Sequence, residues 1–222
     1  MKYKGVLALG LSFALTGCLE QPLPKKVASI GQSGSIGGHY GVSKMYVGDI
    51  NGGGANFGYG AVSGCCASST IAIGVPSSIS GEWRSGWPEG YEKNKEHWRK
   101  QWVESWGEFP DKATWYRLDD EVDSELAKKK ILTMNSYYKN HTGNSVMRVL
   151  VDGNEVTLLY SLSCTPELND DCTVREGSDP NGWVIISPHS KHQGATAVVL
   201  YKGLGEISDK PFISNQITLN SK

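Results

Sequence analysis

The 222-residue chain is predicted to fold as an α+β domain, an antiparallel β-sheet or small sandwich with two helices, preceded by a cleaved lipoprotein signal peptide. Three observations predict it. From residue 145 onward strand patterns dominate, and apolar runs at 146–151 and 155–162 flank Asp152-Gly153-Asn154, a strong hairpin signal. Two stretches, 94–106 and 119–139, carry helical spacing and helix-type charge order. Residues 30–64 hold 12 of the 27 glycines without a fixed period, which excludes collagen-like and repeat architectures and points to turns between short strands.

Taken in order, the first element is a targeting segment. Lys2 and Lys4 precede an uncharged run, 5–17, of Leu, Ala, Val, Phe and Gly. About 13 residues is short of the roughly 20 a spanning helix needs, and it suits a signal-peptide core. The run ends in Leu15-Thr16-Gly17-Cys18, which resembles the lipobox of bacterial lipoproteins. The resemblance implies cleavage before Cys18 and acylation of Cys18 as the first mature residue. The bland alternative is an ordinary secreted protein in which Cys18 is a structural thiol. Leu19 is not Asp, and the sorting rule for lipoproteins then implies the outer membrane, facing the periplasm. Two or more acyl chains anchor stably where one is marginal. No second apolar run reaches spanning length, so the lipid is the expected membrane attachment.

Loss of residues 1–17 leaves 205 residues with 20 basic and 23 acidic side chains. That length buries a sizeable core as one domain, 30–222. The slight negative balance offers no field for a phosphate backbone, so nucleic acid is not an expected partner. Residues 18–29, with Pro22, Pro24, Lys25 and Lys26, read as an extended tether. Tyr40, Val42, Met45, Val47 and Ile50 predict a strand over 40–50, closed by the turn Asn51-Gly52-Gly53-Gly54-Ala55-Asn56. The glycine run lacks the Lys-Ser/Thr ending of a phosphate loop, and backbone freedom is the simpler reading. Small and β-branched residues over 65–75 predict a strand that Pro76 stops.

Six of the seven tryptophans fall within 81–116. Trp98, Trp102 and Trp106 repeat every fourth residue along one stripe of the helix expected at 94–106. Core packing is the favoured reading of that stripe, against an aromatic contact surface. Trp83 and Trp87 stand in the Gly/Pro-rich segment Gly81-Glu82-Trp83-Arg84-Ser85-Gly86-Trp87-Pro88, read as a loop, and are the candidate partner-binding residues. In the helix expected at 119–139, acids crowd the first turns and Lys128-Lys129-Lys130 follows, complementing the helix dipole. Val122, Leu126, Leu132 and Met134 are expected to face inward, and the lysines to face solvent. Strands are further expected at 183–187, 195–201 and 213–219.

Four cysteines remain besides Cys18. Cys164 and Cys172 enclose a polar, turn-rich stretch and are expected to form a local disulfide. By the chain-entropy model such a bridge contributes about 2–3 kcal/mol. Neighbouring side chains on a strand point apart, so Cys65 and Cys66 leave three readings open: a strained vicinal disulfide, free buried thiols, or metal ligands without a supporting His/Cys set. No Gly-x-Ser-x-Gly nucleophile elbow is present. His189 and His192 flank Ser190-Lys191 in a loop signal, His39, His97 and His141 stand apart, and Asp119, Asp120, Glu121 and Asp123 read as an acidic helix start rather than paired catalytic carboxylates. The expectation is therefore no enzyme, no cofactor and no metal.

The segment Asn51-Gly52-Gly53-Gly54-Ala55-Asn56, then Gly58, Gly60, Gly64 and Cys65-Cys66, with Trp83-Arg84 following, resembles the bacterial lipoprotein family called domain of unknown function 3304. It covers roughly residues 40–84. The resemblance implies an immunity protein, one that binds and neutralises a phospholipase-type effector delivered by a type VI secretion system. The competing class is an envelope-anchored glycan- or peptidoglycan-binding module that uses exposed tryptophans, and a hydrolase is a third.

Overall fold

The computed structural model describes residues 23–30, 34–35, 40–57, 69–86, 95–106, 112–186 and 195–212. Within them the elements run β1 (Ala28–Ile30), β2 (Gly34–Ser35), β3 (Tyr40–Asp49), β4 (Gly54–Asn56), β5 (Ser69–Ile73), β6 (Pro76–Ser85), α1 (Lys95–Trp106), β7 (Thr114–Glu121), α2 (Ser124–Asn135) and β8 (Tyr138–Asn140). They continue with β9 (Ser145–Asp152), β10 (Glu155–Ser163), β11 (Asp171–Val174), β12 (Val184–Ile186), β13 (Ala195–Leu204) and β14 (Glu206–Ser208).

The fold is α+β, built from two sheets that share one core. The first orders its strands β12-β13-β10-β9-β1-β5, with β2 also on β9. It is antiparallel except where β1 and β2 run parallel to β9. The second sheet, β14-β7-β6-β3-β4, is antiparallel throughout. A short ribbon pairs β8 with β11. Met147, Val149, Leu158, Tyr160 and Val198 of the first sheet meet Met45, Val47, Ile79, Trp83 and Leu118 of the second, all buried in one cluster. Ala127, Ile131 and Met134 of α2 close that cluster. The first sheet is buried on both faces: Leu150, Leu159 and Ala197 lie on the other side and are 2%, 1% and 0% exposed.

The hairpin β9–β10 forms as the sequence predicts, with Gly153 at φ +57° in its turn. The pair β12–β13 also forms. Five expectations are corrected. Pro76 does not stop a strand but begins β6, a position where its missing N–H costs no ladder bond. Residues 81–85 are therefore strand rather than loop. Gly81 reads as a turn residue in sequence, yet it sits opposite Met45, and a Cβ there would stand 2.6 Å from the Met45 sulfur. The second helix starts at Ser124, not 119, because Asp119–Glu121 pairs with β6 in β7. Asp123 caps it, accepting from Leu126 N at 2.9 Å. Its inward face is Ala127, Ile131 and Met134, and Lys130 leaves the solvated run to donate to Val199 O at 2.6 Å. Finally, the tether reading fails over its last residues: Leu23 and Val27 pack on the core, and Ala28 is already β1. The strand expected at 213–219 lies outside the described residues.

Asp49 holds the corner where the chain passes from β5 to β6. Its side chain is fully buried. Oδ1 accepts from Asn51 N at 2.9 Å and Gly53 N at 3.1 Å. Oδ2 accepts from Gly74 N at 3.0 Å and Lys26 Nζ at 3.3 Å. Burial alone raises the pKa of this carboxyl; the three backbone donors and Lys26 outweigh burial and hold it below the usual carboxylate value. Gly74 has no room for a side chain there, since a Cβ would lie 2.7 Å from Lys25 O.

A second junction joins the sheets at the β9–β10 turn. Gly153 N donates to Tyr40 Oη at 2.6 Å, and Trp83 Nε1 donates to Gly153 O at 2.9 Å. Gly205 N, between β13 and β14, donates to Asn154 O at 2.7 Å.

Candidate functional site

Trp83 is fully buried. Its ring stacks on Tyr116 with centroids 5.5 Å apart, and Tyr116 lies 6.5 Å from Tyr40. It is a core residue joining the two sheets and not a partner-binding residue, because β6 turns it inward and its indole N–H is spent on Gly153. The aromatic-groove reading loses one of its two named platforms. Trp87, the other, lies outside the described residues, as do Cys18, Cys65, Cys66, His39, His189 and His192.

The expected Cys164–Cys172 disulfide is present, with the sulfurs bonded and the Cα atoms 5.7 Å apart. It closes the segment that leaves β10 at Ser163 and returns as β11. Asn169 turns that segment in the left-handed region at φ +65°. Asp170, 8% exposed, staples it to the β8–β9 connection. Its carboxylate accepts from Thr165 N at 2.9 Å and from both the amide and hydroxyl of Thr142 at 2.7 Å. The Thr165 amide and then the Thr142 donors lower its pKa.

The clamp stands at one end of the first sheet, and register assigns several elements to the same end. Ser163 pairs with Ala195, and Ile186 with Thr196. Tyr138 Oη, on β8, lies 3.2 Å from Thr196 Oγ1, and Val174 of β11 pairs with Tyr138. Because β1 runs parallel to β9, with Ser29 beside Val146, the N-terminal chain also enters here. The Tyr160 hydroxyl ties this end together: it donates to Asn135 Oδ1 at 2.6 Å and lies 2.7 Å from Ser145 Oγ. Entry into β12 is fixed by Asp179, whose two oxygens accept from Trp183 N and Val184 N, both at 2.9 Å.

This end exposes large apolar side chains that nothing in the core explains. Leu168 is 62% exposed, Val174 49%, Ile185 40% and Ile186 84%. Ile185 and Ile186 belong to β12, the outermost strand of its sheet. Edge strands are ordinarily kept short, as the three-residue β12 is, or guarded by Lys, Pro or a bulge. Trp183-Val184-Ile185-Ile186-Ser187 carries no charge and no proline. In sequence these residues read as an ordinary strand; the signal is the absence of charge and proline among them. His141 lies nearby, with Nε2 3.2 Å from Asn135 O, but among the described residues no group of three His, Cys, Asp or Glu side chains is placed to hold a metal ion. No described helix is long and apolar enough to cross a membrane.

The chain matches no protein-family model, no curated protein and no solved structure.

Proposed function

We propose that this chain is a lipid-anchored periplasmic binding protein of the outer membrane, and that it neutralises a phospholipase-type effector of a type VI secretion system by protein–protein contact rather than by chemistry of its own. The observation that supports a contact role is the disulfide-clamped end of the first sheet, where Leu168, Val174, Ile185 and Ile186 are exposed around an unguarded edge strand. Exposed apolar side chains on a rigid frame are what a protein partner buries. An edge strand without charge can add a partner's strand by main-chain hydrogen bonds. The identity of the partner rests on the lipobox at Cys18 and on the family resemblance over residues 40–84. Tethering is consistent with it, since an inhibitor fixed to the surface under attack has a high effective concentration there.

The test is to look for a phospholipase-type effector in the neighbouring gene and to co-express it in the periplasm with this chain. The expected results are rescued growth with the chain present, a complex on co-purification, and loss of both with Ile186→Asp combined with Leu168→Asp. Both positions are exposed, so the variant should remain folded. Absence of rescue together with absence of a complex rejects the reading. For the anchor, Cys18→Ser should abolish acyl labelling and release the protein from the membrane fraction.

A further inference from the structure

The outer face of the first sheet holds two polar atoms that the fold leaves unused, one on the buried Ser161 and one on the partly buried Arg148. Arg148 Nε and Ser161 Oγ are both buried and have no hydrogen-bond partner. Ser161 is 4% exposed. Arg148 stands opposite Leu159 in the β9–β10 ladder, and Ser161 is two residues further along β10. The two are therefore diagonal neighbours on one face, about 7–8 Å apart at the backbone and within reach of a long side chain. Leu159, Leu150 and Ala197 surround them on that face and are almost wholly buried. Among the described residues no carboxylate pairs with Arg148. Burial, with no opposing charge, depresses its affinity for its proton.

A guanidinium whose Nε is buried without an acceptor leaves a donor unsatisfied, and a buried hydroxyl without a partner adds to that cost. Native folds seldom keep both side by side unless something satisfies them. The guanidinium is a planar fork suited to two oxygens of one anion, and the serine hydroxyl supplies one further donor. The buried Leu150 and Leu159 lower the local dielectric beside Nε and the hydroxyl and strengthen each contact there.

We propose that Arg148 and Ser161 form a binding subsite for a single oxyanion group, a carboxylate or a phosphate, on the face of the first sheet turned away from the main core. The subsite adjoins the apolar end, since Ser161 pairs with Ala197 and Ala197 with Ile185, and it does not depend on the identity of the protein partner.

The test uses the purified, processed full-length protein, titrated with inorganic phosphate and, separately, with acetate. Sodium chloride at matched ionic strength is the control. The expected result is a saturable rise in the thermal midpoint with at least one of the two anions, beyond the chloride control. Which of them binds assigns the head group. Arg148→Lys keeps the charge but loses the fork, and should weaken binding by about tenfold. Ser161→Ala should weaken it by about three- to tenfold. Arg148→Met fills the same space without the orphan charge. It should abolish the anion-dependent rise while its midpoint in anion-free buffer is no lower than that of the parent. A response no greater than chloride overturns the proposal, and so does a response that persists in Arg148→Met.

Discussion

Replacing Asp49 by Asn isolates the corner between β5 and β6. The side chains are nearly the same size, so packing is preserved and only charge and donor–acceptor order change. In the native corner Oδ1 serves Asn51 N and Gly53 N, while Oδ2 serves Gly74 N and Lys26 Nζ. The amide of Asn presents a donor at one of those two positions. If nitrogen replaces Oδ2, it opposes the Lys26 ammonium, which is half-exposed and can turn to water, and the Gly74 N–H, which is buried and cannot. A buried unsatisfied donor costs about 1–3 kcal/mol. Two hydrogen bonds remain but lose their charge assistance, which adds about 1 kcal/mol after allowance for their partial exposure. The opposite rotamer orphans two donors and is worse. The expected destabilisation at pH 7 is therefore about 2–4 kcal/mol, read by urea unfolding followed through tryptophan fluorescence. The pH dependence carries a second signature. Asp49 has a folded pKa below its unfolded value of about 3.9, so its contribution is complete above roughly pH 5 and is lost as pH falls through the folded pKa. The gap between parent and variant should then narrow on acidification below about pH 4. A destabilisation under about 0.5 kcal/mol, or a gap that does not change between neutral and acid pH, refutes the reasoning.

Three further outcomes follow from the same kind of accounting. Cys164→Ser with Cys172→Ser opens a bridge of sequence separation 8 and should cost about 2–3 kcal/mol by the chain-entropy model, with non-reducing peptide mapping of the parent confirming the bridge. Trp83→Phe loses the bond to Gly153 O and leaves a void where the larger ring stacked on Tyr116, for an expected cost of about 2–4 kcal/mol; unchanged stability would return Trp83 to the list of surface candidates. Gly205→Ala places a Cβ 2.7 Å from Trp83 Cη2 and 2.9 Å from Arg117 O, so it should destabilise by about 1–3 kcal/mol, and by less in a Trp83→Phe background, as a double-mutant cycle would show.

Much of the strand order from Ser145 onward is legible in sequence because local signals and tertiary pairing agree there. Asp152-Gly153-Asn154 demands a hairpin, and the alternation on either side carries residues to the two faces. Legibility fails where a residue answers to a distant neighbour. Gly81 looks like a breaker, but its missing side chain makes space for Met45, so β6 is hidden in a loop-like string. Asp119, Asp120 and Glu121 look like a helix start, while pairing with β6 makes them strand. Trp83 looks free beside glycines, and its inward aim depends on that same unseen strand. The Cys164–Cys172 bridge is readable because both partners lie within one short loop. The apolar end is not, because exposure of Val174 and Ile186 follows from which strands become edges, and strand order is a property of the whole sheet. Arg148 and Ser161 likewise become a pair only through the register of β9 on β10.

The parallel pairing of β1 with β9 has a consequence for reach. Leu23 packs on the core, and five residue steps separate it from Cys18. Fully extended, they span at most about 18 Å. In the anchored protein proposed above, the domain is leashed to within that distance of the lipid surface. The leash leads into β1 past the Asp49 corner, toward the edge of the first sheet away from β12. That edge is thereby held toward the bilayer, and the leash bounds how far the domain reaches into the periplasm. A partner would meet it at the membrane or not at all. Lengthening the stretch before Leu23 with a flexible insert should relax this geometry without touching the fold.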